Sequence, residues 1–300
     1  MSLFDKLIVL GLPLVPKPIV GYFSKTYIAG PCLDDAVRVV KNLNAENIMA
    51  TIDLLGEESL EKEHASFAVE EYKRILSVIK ELGLNANVSL KPTHMGYLID
   101  KEYCYENIRE VIRAAKSHNN FVRIDMENRH TTSDTIDMYL RLKEEFEGHV
   151  GTVIQAYLRR TSADINRLIE HRANLRLCKG IYVEPREDAY QDMAIINENF
   201  SFNLEKLFKN NCYVGIATHD EKLVWQALRL IEELKLNPLK YEFQMLLGVD
   251  EQMRRILVNS GHRLRVYVPY GKDWYPYSTR RLKENPKMAG IVFKRILGLS

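Results

Sequence analysis

Three hundred residues, 46% of them hydrophobic, can fill a complete core, which excludes a disordered chain. The net charge of +2, with no clustered basic stretch, excludes a nucleic-acid-binding surface. Four cysteines, at 32, 104, 178 and 212, form no CxxC and no disulfide spacing, as expected of free thiols in a reducing cytoplasm.

The chain opens on LIVLGLPLVPKPIV (7–20), apolar but broken by Pro13, Pro16, Lys17 and Pro18. It is too short and interrupted to span a membrane, and it has no A-x-A cleavage site of a signal peptide. A packed helical arm over residues 1–47 is expected, with a segment resting on the inner face of the cell membrane as the alternative. The apolar MAGIVFKRILGLS (288–300) admits the same two readings.

Residues 33–47 carry a helical pattern, and strands and helices then alternate. Strands are expected at 48–55, 86–91, 121–125, 151–158, 175–180, 213–218, 241–246 and 264–268. Helices are expected at 59–82, 103–118, 133–146 with Ser133 as cap, 162–172, 188–210, 221–234 and 249–260. Pro269 and Gly271 close the last strand, and Pro276 starts a final helix. Eight strand–helix units imply an α/β fold with a parallel sheet, and their span implies a closed (β/α)8 TIM-type barrel over residues 48–300. An open doubly wound sheet is the competitor, but no strand–helix junction carries GxGxxG or a P-loop.

Chemistry in such a barrel sits at the C-terminal strand ends. Those ends carry Asp53 and Glu57, then Lys91 and His94, Asp125 and Glu127, Gln155 and Tyr157, Arg176, Cys178, Lys179, Gly180 and Tyr182, Thr218 and His219, Gln244 and Leu246, and Tyr267. Each alone has a bland reading: a surface lysine, a helix cap, an ordinary helix start. Polar groups at all eight ends are harder to dismiss, because buried polarity is costly without a partner. Past the last strand, Tyr277, Arg280, Arg281 and Glu284 fall at i, i+3, i+4 and i+7, one helical face at about 100° per residue. Two adjacent Arg forks make a site for a carboxylate or phosphate, against the plain reading of a solvated helix with an Arg280–Glu284 pair. The cation set of Lys91, Arg176, Lys179, Arg280 and Arg281 suits a large anionic ligand together with a small carboxylate. No HxH or HExxH supports a metal. A Schiff-base lyase on Lys91 or Lys179 and a non-catalytic amino-acid sensor are the other classes these residues allow.

The motifs TIDLLGE (51–57), VSLKPT (88–93), RIDMEN (123–128), VIQAYL (153–158), LRLCKGIY (175–182), IATHD (216–220), YEFQML (241–246), RVYVPYG (265–271) and YSTRRLKEN (277–285) fall in order on these elements. As a set the chain resembles the FAD-dependent proline dehydrogenases in their single-function bacterial form. That resemblance implies oxidation of L-proline to Δ1-pyrroline-5-carboxylate, with hydride passing to FAD and electrons to a quinone. It matches Lys91, Arg280 and Arg281 to the substrate carboxylate, and Tyr182, Leu246, Tyr267 and Tyr277 to the packing around the substrate ring. Asp125 and Arg176 match the groups beside the flavin. Gln155, Lys179, Gly180, Thr218, His219 and Gln244 match its other contacts, with Glu284 on the dinucleotide side. Met126 and Cys178 join the cofactor set and are larger or softer than some counterparts. Val183 stands where many members have Trp. Glu57, in a short loop after the first strand, is expected to pair with Arg280 as a gate. The chain stops soon after the paired arginines, so the aldehyde dehydrogenase half of bifunctional relatives is expected to be absent.

Overall fold

The apolar runs do become strands, and short ones: β1 Met49–Leu54, β2 Ala86–Leu90, β3 Val122–Ile124, β4 Val150–Gln155, β5 Asn174–Cys178, β6 Tyr213–Ala217, β7 Tyr241–Leu246 and β8 Leu264–Tyr270. They are seen in a computed structural model that describes residues 20–21, 24, 26–275 and 277–278. Every neighbouring pair is parallel, and β8 returns to β1, Met49 facing Arg265 and Leu54 facing Tyr270. That last pairing closes the sheet into an eight-stranded barrel and rules out the open alternative.

Helices fill the intervals: α1 Leu33–Ala45, α2 Lys62–Glu81, α3 Lys101–Ser117, α4 Thr132–Glu145, α5 Thr161–Glu170, α6 Met193–Lys209, α7 Glu221–Glu233 and α8 Glu251–Asn259. Helix α1, before the first strand, packs on β8 and β1 and so covers the seam where the barrel closes. Trp274, Tyr275, Tyr277 and Ser278 have helical backbone, with Ser278 Oγ donating to Trp274 O at 2.7 Å. Tyr277 packs with Tyr27, Ile28 and Leu55, while Ala29 N donates to Pro269 O and Gly271 N to Gly30 O. The chain before α1 thus runs along the C-terminal end of β8.

Alternation along each strand sorts side chains to two faces. Ile52, Val88, Ile124, Leu177, Ile216, Phe243 and Val268 join one apolar cluster with the helices. The residues between them face the barrel axis. Tyr267 of β8 bonds Asp125 just past β3, and Arg176 of β5 bonds Gln244 of β7. These strands are not neighbours, so the bonds must cross the interior.

Several boundaries differ from the sequence expectation. Strand β8 runs through Pro269 to Tyr270, because there the carbonyls of Pro269 and Tyr270 accept from Ala29 N and Leu55 N, a role that needs no proline N–H. Strand β4 stops at Gln155, and Tyr157 and Leu158 turn toward the chain at 189–190. Helix α6 starts at Met193 rather than 188, where Asp192 accepts from Ala194 N at 2.7 Å. Helix α4 starts at Thr132, and Ser133 is not its cap: its hydroxyl accepts from Arg160 Nη1 at 2.8 Å.

Candidate functional site

Lys91 directly follows β2 and lies inside the mouth, its Nζ donating to both Asp53 oxygens at 2.9 and 3.1 Å. Asp53 is fully buried and Lys91 is 8% exposed, which excludes a surface lysine. Asp125, just past β3, collects three donors: Ser89 Oγ at 2.7 Å, Arg176 Nη1 at 2.6 Å and Tyr267 OH at 2.8 Å. The Arg176 guanidinium lies over the Tyr267 ring, 5.2 Å from its centre. Four strands thereby aim a lysine, a carboxylate, a guanidinium and a phenol into one space.

Electrostatics hold these states. Burial pulls the Lys91 ammonium down, but Asp53, Asp125 and Glu127 outweigh it and keep it above its usual value. A lysine so held is a cation for binding an anion and a poor nucleophile, which argues against Schiff-base chemistry at Lys91. Lys179, the other candidate, is paired with Asp220 at 2.6 Å. Burial, reinforced by Asp125, pushes the Tyr267 phenol well above its ordinary value, so it stays a donor. Glu127 is raised by burial although Thr93 N and Oγ1 both donate to it, at 2.8 and 2.6 Å.

The described residues matched to the cofactor lie at the strand ends around the same mouth. Gln155 is buried, its Nε2 donating to Glu127 O at 2.9 Å, while its Oε1 has no hydrogen-bond partner. Gly180 has φ of +112°, and a Cβ there would overlap the Tyr157 ring, so only glycine brings the backbone through this turn. His219 Nε2 accepts from Leu246 N at 2.9 Å, tying the end of β6 to the end of β7. Thr218 is buried, and its hydroxyl accepts from Asp220 N at 3.1 Å. Met126 is buried in the main apolar cluster, and Cys178 packs against it. Tyr182 is half-buried, and Val183, at the position that the resemblance matches to Trp in many members, is fully exposed.

Arg280, Arg281 and Glu284 lie outside the described residues, as do the apolar segments at 7–19 and 288–298. Glu57 is half-buried in the loop after β1. That loop is tied to the loop after β2: Glu58 N donates to Thr93 Oγ1 at 3.1 Å, and Ser59 Oγ to His94 O at 3.1 Å. Gly56 lies against the His94 ring, where a Cβ would collide.

Sequence reasoning assigned no role to Asp53, Ser89, Glu242 or Arg265. Their one signal is a charged or polar residue on the alternating face of an otherwise apolar strand, as in IMATIDLL and YEFQML. Which partners they meet across the barrel is not local information.

A closed parallel barrel with buried, paired ionic groups at its C-terminal mouth defines a TIM-barrel enzyme. Comparison makes this specific: the chain belongs to the proline dehydrogenase family, whose model matches residues 36–293. Proline dehydrogenase 1 of Bacillus subtilis is 36% identical over 274 residues, 91% of this chain and 90% of the relative. The proline dehydrogenase of Deinococcus radiodurans is 32% identical over 278 residues, 91% of this chain and 90% of that one. Among solved structures, proline utilization A from Bdellovibrio bacteriovorus, inactivated by N-propargylglycine, superposes with a TM-score of 0.83 at 25% identity, covering 90% of this chain and 33% of that one. Proline utilization A from Corynebacterium freiburgense shares the fold at a TM-score of 0.78 and 21% identity, covering 97% of this chain and 34% of the other. The chain therefore spans about a third of these structural relatives. No helix among the described residues is long and apolar enough to cross a membrane.

Proposed function

We propose that the chain oxidises L-proline to Δ1-pyrroline-5-carboxylate, with FAD as hydride acceptor and a quinone as the next electron acceptor. The observation that carries this reading is the joined set of Lys91, Asp125, Arg176 and Tyr267 inside the mouth. FAD, when bound, supplies the two-electron oxidation that no side chain can. The residues fit such a group. The unpartnered Gln155 Oε1 suits a ring N–H, the Gly180 turn lets backbone approach closely, and Arg176 and Lys179 offer positive charge. Gln244, Thr218, His219, Met126 and Cys178 would complete the lining, with Glu284 toward the dinucleotide end.

The chain's own residues do the positioning. Lys91, joined by Arg280 and Arg281, clamps the proline carboxylate at one end and so fixes the ring, which is catalysis by orientation. Tyr182, Leu246, Tyr267 and Tyr277 pack its faces and exclude water. The same positive charge disfavours an ammonium, so the reacting proline carries a neutral amine. Asp125, with three donors already on it, aims Arg176 and Tyr267. Glu57 pairs with Arg280 over the bound substrate. A quinone is membrane-soluble, and the apolar terminal segments make a peripheral membrane contact on the cytoplasmic side part of this proposal.

Anaerobic titration tests the core of it: purified protein should be yellow and bleach on adding L-proline. A colourless protein, or a flavin spectrum unmoved by excess proline, would overturn the reading. Flotation with liposomes should retain full-length protein over a form trimmed at both ends, and equal recovery would remove the membrane contact.

A further inference from the structure

Gln244 stands between two charged groups, and its amide has one way round. Its Nε2 donates to Glu242 Oε1 at 2.6 Å, and its Oε1 accepts from Arg176 Nε at 2.5 Å. A carboxylate only accepts and a guanidinium only donates, so a flipped amide would lose both bonds. Glu242 is itself fixed: Arg265 meets it through Nε at 2.7 Å and Nη2 at 3.2 Å, a two-point contact that sets the carboxylate plane. Arg265 is anchored in turn, with Nη1 donating to Ala50 O of β1 at 2.7 Å. Glu242 is 1% exposed, and although burial pushes its carboxyl up, Arg265 brings it down to about 2.

The barrel makes room for this relay. Gly215 of β6 pairs with Arg176 on one side and Glu242 on the other. A Cβ at Gly215 would overlap the Gln244 amide. The missing side chain is therefore the gap through which Gln244, on β7, reaches across β6 to β5. The relay ends at the proposed site, since Arg176 Nη1 is bonded to Asp125.

We propose that Glu242 is a positioning residue: anchored by Arg265, it fixes the Gln244 amide and thereby the aim of the Arg176 guanidinium. This rests on the reading that Arg176 stands beside the flavin. A merely structural Glu242–Arg265 pair would stabilise the fold without setting Arg176.

The test is Glu242→Gln in the full-length flavoprotein. An amide at 242 no longer dictates which way Gln244 faces. We expect kcat and the anaerobic rate of flavin reduction to fall roughly 10- to 100-fold, with KM for proline within about 2-fold, because orientation is lost and the carboxylate clamp is untouched. The Arg176 Nε–H nuclear magnetic resonance signal, assigned by its loss in Arg176→Lys, should shift. Gly215→Ala displaces the same amide without changing charge and should give the same split, and it decides the matter if Glu242→Gln does not fold. Wild-type kcat in a folded variant, a loss confined to KM, or an unmoved Arg176 signal would overturn the proposal. If wild-type protein is not reduced by proline, the proposed function fails, and the Arg176 signal alone still decides whether Glu242 sets Arg176.

Discussion

The strands turn two unlike faces to the molecule. The outer face, against the helices, is a continuous sleeve of Val, Ile, Leu and Phe with almost no polar side chain. The inner face carries Asp53, Lys91, Asp125, Arg176, Glu242, Gln244 and Arg265, joined by short hydrogen bonds. Apolar burial is non-directional and scales with area, so the sleeve can hold the fold with many side-chain choices. Buried ionic groups contribute little net stability and are strict about geometry. The fold rests mainly on the sleeve, and the proposed chemistry on the interior.

The sharpest way to break this division is Lys91→Met. It leaves Asp53 buried without its cation and removes one arm of the proposed carboxylate clamp. We expect a loss of about 3–5 kcal/mol in chemical denaturation together with a large rise in KM for proline. An unchanged KM would detach Lys91 from the substrate. Leu175→Ala strikes the sleeve instead, where the Leu175 side chain is fully buried in the main apolar cluster. It should cost about 2–5 kcal/mol while turnover per folded molecule stays at the wild-type level. A matching drop in turnover would mean that the two faces are not separable.

His94 lies at the rim between the regions and gives an acid test. Burial, then the Lys91 charge, lowers its pKa from 6.5 to about 3. Because the unfolded chain takes up a proton that the folded one refuses, stability is fully present above pH 6.5 and is lost as pH falls from there toward 3. Between pH 6.5 and pH 5 this amounts to about 2 kcal/mol, and His94→Gln should flatten that part of the curve. Identical curves for the two proteins would show that His94 is protonated in the fold. The smallest effect is expected from Glu102→Gln, which breaks the exposed pair with Arg141. Neither the denaturation midpoint nor turnover should change, and a clear shift in either would extend the sensitive region beyond the barrel.

Local pattern alone revealed much of this. Short apolar runs located all eight strands, helical spacing located the intervening helices, and the last residues of each strand pointed to the mouth. It failed where non-local contacts decide. Tyr157 leaves β4 because the chain at 189–190 pairs with it, and Ser133 yields its cap role because Arg160 reaches its hydroxyl.

By itself the sequence determined the barrel class, since eight alternating strand and helix patterns can each be read from local periodicity and length. Family motifs singled out the residues proposed for substrate and cofactor. Only the tertiary structure decided who pairs with whom inside. Lys91 meets Asp53 from the neighbouring strand, Asp125 gathers donors from β2, β5 and β8, and Glu242 reaches Arg176 through Gln244 across the space Gly215 leaves open. Those partnerships depend on closure and register of the barrel. Hydrogen bonds across its axis join residues dozens of positions apart, and no local propensity encodes that distance.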